Sequence, residues 1–178
     1  EHPVPVDDAE ARTKDGSWLF VHIPKCGGTS VLHAIRETHP EPSGLELNGD
    51  HLVDKNAILA LVASRLPRAR VVYGHRVFAG LGQFMPRPAR MVTVLRHPVD
   101  RSISHYNFIL TRPPDRQRVL GALTHDDVRV PFTDWLAEFP PAGNHLVWML
   151  FHVLGDSPRV FDFSRRAGSE EYDVVAQR

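Results

Sequence analysis

Apolar residues fall along this chain in short blocks, separated by polar stretches rich in glycine and proline. The first block, Trp18-Leu19-Phe20-Val21-His22-Ile23, is nearly continuous and too short for a helix, so residues 18–23 are predicted to be a buried strand. Apolar positions at helical spacing follow over 29–38, with Thr29 or the residue before it near the N-cap. Residues 40–50 carry Pro40, Pro42, Gly44 and Gly49 and are expected to form a loop. Asp54 suits the cap of a helix whose apolar face is Ile58, Leu59, Leu61, Val62 and Leu66, and Pro67 ends it. Two further apolar blocks, 70–73 and 90–95, read as strands, the second of them buried, with a turn-rich stretch over 80–88 between them. Pro98 suits the first turn of a helix reaching about Leu110.

The rest of the pattern is weaker. Residues 111–131 are polar, with Pro113 and Pro114 in tandem, and are expected to be a mobile loop near a site. Residues 132–139 and 144–154 read as helices, and 169–177 begins another. Residues 1–16 are polar and aperiodic, a loose arm. Strands alternating with helices predict an α/β fold, a parallel β-sheet flanked by helices, in one domain spanning 1–178. Ligands of such sheets bind beyond the carboxyl ends of the strands. That directs attention to Pro24–Gly28, to Gly74-His75-Arg76 and to Arg96-His97-Pro98.

Composition removes several function classes. Lys+Arg and Asp+Glu each number 21, so net charge gives no case for a nucleic-acid or anionic-membrane partner. No apolar run approaches the roughly 20 residues that a membrane span needs. The lone cysteine, Cys26, excludes an internal disulfide framework and fits a reducing, cytoplasmic compartment. Because the sequence starts at Glu1, a trimmed leader and a luminal location stay open. His145 and His152 share a helix face without the carboxylate pattern of a metal motif, so no metal site is expected, and Trp148-Met149-Leu150-Phe151 is read as core.

The chemistry concentrates in His22-Ile23-Pro24-Lys25-Cys26-Gly27-Gly28-Thr29-Ser30. A strand, a glycine turn and a helix start present backbone N–H groups and a helix dipole to an anion. The segment departs from the nucleoside-triphosphate loop G-x-x-x-x-G-K-[ST]. Gly28 stands where the lysine should be, His22 stands at the first glycine, and the lysine has moved to Lys25. A triphosphatase also needs an acid at the end of a neighbouring strand to help hold Mg²⁺. Here that strand runs into Arg96, which attracts an anion directly. Arg96 opens a second motif, Arg96-His97-Pro98-Val99-Asp100-Arg101-Ser102-Ile103-Ser104-His105-Tyr106, in which Arg96 and Ser104 can converge on one phosphate.

With both motifs, the chain resembles the sulfotransferases that use 3′-phosphoadenosine 5′-phosphosulfate (PAPS). It is most similar to the branch of heparan uronyl sulfotransferases and their bacterial relatives. The resemblance covers about Phe20 to Tyr106. It implies a P-loop NTPase-like three-layer sandwich and transfer of a sulfuryl group to a hydroxyl of a carbohydrate or other small acceptor, leaving PAP. By resemblance, Lys25 contacts the phosphosulfate and neutralises the leaving oxygen. Lys25, Cys26, Gly27, Gly28, Thr29 and Ser30 form the donor's 5′ loop, and Arg96 and Ser104 hold its 3′-phosphate. His75 is similar to the branch's catalytic histidine, a base for the acceptor hydroxyl, a role that an imidazole suits near neutral pH. Family members run well past the position of Arg178, so the C-terminal part of the family domain is expected to be missing.

Other readings stand beside these. A kinase or hydrolase using Mg-ATP, or a non-catalytic nucleotide-binding module, accounts for a phosphate loop as well. Cys26 is read as a small packing residue of the loop, and His22 as a strand residue that packs. Arg101 serves either a phosphate or a solvated or salt-bridged role, and His33, Arg76 and His105 either line the acceptor pocket or sit on a helix surface or in the core.

Overall fold

The computed structural model describes residues 16–49, 54–138 and 153–155. Four strands form one sheet: β1 (Ser17–Val21), β2 (Gly44–Glu46), β3 (Val71–Gly74) and β4 (Ala89–Thr93). Their order is β2-β3-β1-β4 and every pairing is parallel. Parallel strands need crossovers, and helices supply two of them. Helix α1 (Gly28–Thr38) links β1 to β2, and α2 (Lys55–Val62) links β2 to β3. The predicted α/β architecture is therefore what forms.

Alternation along β1 explains why both sheet faces are covered. Leu19 and Val21 join a core with Leu45, Val72, Ile58 and Val62, on the α2 side. Phe20 points the other way, into a cluster with Val71, Tyr73 and Leu32 of α1. Asp54 caps α2 as expected, its carboxylate accepting from the Ala57 amide at 2.8 Å. Leu61, placed on the apolar face by its spacing, is 60% exposed instead, while Ile58 and Val62 carry the packing.

Several segments differ from the sequence reading. The expected loop 40–50 contains β2, an edge strand of only three residues; its glycine and prolines hid it. The turn-rich stretch holds a 3₁₀ helix, Ala79–Phe84. The expected loop 111–131 contains α4 (Pro114–Val119) and a bridge between Leu123 and Arg129. Pro113 and Pro114 start that helix, since proline lacks a donor where none is needed. The block 90–95 is not a buried strand among the described residues: there β4 lies at the sheet edge, ends at Thr93, and leaves Val92, Val94 and Leu95 exposed.

Helix α3 (Pro98–Ile109) follows β4, and α5 (Phe132–Glu138) packs on it. Trp135 of α5, 1% exposed, joins Tyr106, Ile109 and Ala122 in a second core and donates its indole N–H to the Leu120 carbonyl at 2.9 Å. Aromatic burial of this kind anchors α3 and fixes which of its faces turns to the sheet. The arm 1–15, Phe139, most of the helix expected over 144–154, the one over 169–177, His145, His152 and Trp148–Phe151 lie outside the described residues. No helix among the described residues is long and apolar enough to cross a membrane.

Candidate functional site

The register of the sheet assembles the site. Val21 pairs with Gly74, so the next residues, His22 and His75, leave adjacent strands side by side. Chain order sharpens this. The connection from β1 passes over β3 to reach β2, whereas the one from β3 passes over β1 to β4. The two leave in opposite directions, and a crevice opens between the carboxyl ends of β1 and β3.

His22 and His75 stack there, with ring centroids 4.1 Å apart and planes 17° from parallel. The His75 Nδ1 lies 2.7 Å from the His22 carbonyl oxygen. A carbonyl only accepts, so Nδ1 carries the proton, and in the neutral form of this ring the lone pair sits on Nε2. The backbone N–H of His75 donates to Asn48 Oδ1 at 3.0 Å, and Asn48 in turn donates to Glu46, which Arg36 clasps at 2.6 and 2.8 Å. His75 is thus fixed from two sides. Burial, and then the neighbouring His75, push His22 down to about 4, so it is neutral at pH 7. Its Nδ1 is buried with no hydrogen-bond partner among the described residues.

The loop from Pro24 to Gly28 closes over this pair. Lys25 and Gly27 both take left-handed backbone angles, φ 68° and 84°. Gly27 is the N-cap of α1, one residue before the earlier of the two caps the sequence suggested, and it makes no side-chain cap bond. The first-turn amides of Gly28, Thr29 and Ser30 have no intrahelical acceptor, and Thr29 and Ser30 are exposed. A Cβ at Gly28 would sit 2.2 Å from the His22 ring, so only glycine lets the helix start this close to the imidazole. Cys26 is buried and packs into the main core.

Helix α3 brings cations to the other flank of the loop. Arg101, Ser104, His105 and Phe108 recur at intervals of three and four residues, which puts them on one helix face. Arg101 is buried rather than solvated, and no ion pair holds it among the described residues. It is 3% exposed, its Nε faces the Pro24 carbonyl at 3.4 Å, its Nη2 approaches His105 Nδ1 at 3.3 Å, and its Nη1 has no partner. Burial lowers it to about 10, so it stays charged. Burial also pushes His105 down to about 3, aided by Arg101 and Lys25. The Lys25 ammonium lies 4.3 Å from the Phe108 ring centre, and the Arg112 guanidinium lies 3.9 Å from the same ring. Lys25 is held below the usual ammonium range, first by burial and then by Arg112, Arg96 and Arg101. None of these four cations has an ion-pair partner among the described residues. Four cations around one loop, with no carboxylate paired to any of them among the described residues, leave local positive charge that favours an anion.

Of the residues singled out from sequence, Lys25, Gly27, Gly28, Thr29 and Ser30 share the loop and helix start, and Arg96 is near enough to act on Lys25. Ser104 is half-exposed on the helix face that meets the loop. His75 stands in the crevice. Arg76 is core, 2% exposed and bonded to the Gly49 carbonyl at 2.9 Å; His105 is buried against Trp135, and His33 is exposed on α1. Sequence reasoning missed Phe108 and Arg112. The signal was there: they continue the four-residue step from Ser104. Among the described residues no cluster of His, Cys, Asp or Glu could hold a metal ion.

No family model, curated protein or solved structure matches the chain.

Proposed function

We propose that this protein is a PAPS-dependent sulfotransferase with a P-loop NTPase-like three-layer sandwich, moving a sulfuryl group to a hydroxyl of a carbohydrate or other small acceptor. The observation that carries the reading is the set of four cations without an ion-pair partner among the described residues, Lys25, Arg96, Arg101 and Arg112, beside a helix start with open amides and a stacked imidazole pair. PAPS is a fitting ligand because it bears anionic groups at both ends of its ribose. Gly27, Gly28, Thr29 and Ser30 would take the 5′-phosphate through backbone N–H groups and hydroxyls, with Cys26 packed beneath them. Arg96 and Ser104 would take the 3′-phosphate.

In the reaction, the acceptor oxygen attacks sulfur and forms the new S–O bond. The bond from sulfur to the bridging oxygen breaks, and PAP leaves with that electron pair. The acceptor proton goes to His75 Nε2, the nitrogen whose lone pair is set by the Nδ1 bond to His22. Lys25 neutralises the charge that develops on the bridging oxygen.

Thermal shift with PAP and with ATP-Mg tests the reading. Stabilisation by PAP that exceeds that by ATP-Mg, and is lost in Arg96→Ala, is expected. Preference for ATP-Mg would sink the proposal in favour of a kinase or hydrolase. PAP binding with no sulfuryl transfer to any glycan or phenol would leave a non-catalytic nucleotide-binding module.

A further inference from the structure

We infer that His22 is a positioning residue: its ring ties the phosphate loop to His75 and holds that imidazole in its working orientation. This rests on the sulfotransferase reading, in which His75 is the base. Three observations meet at His22. Its ring stacks on His75 at 4.1 Å, its carbonyl accepts the His75 Nδ1 proton at 2.7 Å, and its ring fills the space a side chain on Gly28 would need. His22 is 7% exposed, so it meets neither donor nor acceptor directly. It touches the base on one side and the first residue of α1 on the other.

The backbone carbonyl alone selects the His75 tautomer, but a single hydrogen bond leaves the ring free to swing about it. The stacked face removes that freedom. A base misplaced by about 1 Å can lose about 100-fold in rate. The stack needs a flat ring and not a polar nitrogen, because His22 Nδ1 has no partner among the described residues. Phenylalanine at this position keeps the face and removes a buried unmet polar atom, a change that is neutral or stabilising.

The test compares the wild-type chain with His22→Ala and His22→Phe. Three quantities are read: PAP affinity by calorimetry, hydrolysis of PAPS with water in place of the acceptor, and the NMR signal of the His75 Nδ1 proton. His22→Ala is expected to lower hydrolysis about 10- to 100-fold with PAP affinity within about twofold, and to lose the slowly exchanging Nδ1 proton signal. His22→Phe is expected to restore both the rate and the signal. A His22→Ala protein with wild-type rate and signal would overturn the inference, as would a folded His22→Phe protein that restores neither. Should the wild type bind no PAP, the sulfotransferase reading fails, and the Nδ1 signal across the three proteins still decides whether His22 orients His75.

Discussion

The two flanks of the loop after β1 are built on opposite electrostatic plans. On the β3 flank lie two stacked imidazoles, one pushed down to about 4 by burial, fixed by a carbonyl and by Asn48. On the α3 flank lie Lys25, Arg96, Arg101 and Arg112, none ion-paired among the described residues, with the three guanidinium groups bearing on the Lys25 ammonium. A proton acceptor works best where its neutral form is favoured, and an anion binds best where positive charge is left unneutralised. In the proposed reaction, placing them on either side of one loop would bring a nucleophile's proton and a leaving group's charge to different partners. The loop separates two electrostatic environments, with His22 and Lys25 as the nearest side chains on each side.

The largest expected effect breaks the neutral flank alone. His75→Ala should lower turnover about 100- to 10,000-fold while PAP affinity stays within about twofold, measured by single-turnover kinetics and calorimetry. Comparable loss of both would mean that the flanks are not separate.

Acid should break the same flank by charging His22, and it charges His105 of α3 as well. His22 and His105 have native values of about 4 and about 3, below the unperturbed 6.5. The unfolded chain therefore binds more protons below pH 6.5, and stability that is complete above that pH is lost as pH falls toward the native values. The groups acting on His22 are His75, Glu46 and Arg36, and those acting on His105 are Arg101 and Lys25. Loss of about 3 kcal/mol by pH 5 is expected from urea melts, and replacing His22 with Phe should remove part of it.

How far the sequence revealed these flanks depends on range. Glycine spacing, the lysine register and the strand pattern are local, and they located the loop, β1, β3 and α1 to within a residue or two. The stack of His22 on His75 depends on which residues the β1–β3 register pairs across a gap of 53 positions, and no local pattern states that. The sequence leaves Arg101 between a phosphate role and a solvated or salt-bridged one, because its burial involves the loop at Pro24, 77 positions away. Edge position is equally invisible: Ala89–Thr93 has the composition of a central strand, yet nothing among the described residues pairs its outer side. β2 escaped notice because three residues are too few to show alternation.

Two smaller effects sharpen the cationic flank. Arg96→Ala should weaken PAP binding about 10- to 100-fold, the worth of one or two charge-assisted hydrogen bonds, with thermal stability of the free protein unchanged. Phe108→Leu removes the ring that Lys25 and Arg112 share at 4.3 and 3.9 Å. It should cost about 0.5–1 kcal/mol, a two- to fivefold drop in PAP affinity, and the loss should shrink as salt screens the cations. An unchanged affinity in this variant would show that Lys25 needs no such support.

The most direct measurement is a crystal structure of the protein with PAP bound. The account predicts the 5′-phosphate within about 3 Å of the backbone nitrogens of Gly27 to Ser30, the 3′-phosphate between Arg96 and Ser104, and His75 still bonded to the His22 carbonyl with Nε2 facing the 5′ end. A nucleotide bound on the β3 flank, or a His75 ring turned away from the 5′-phosphate, would contradict it.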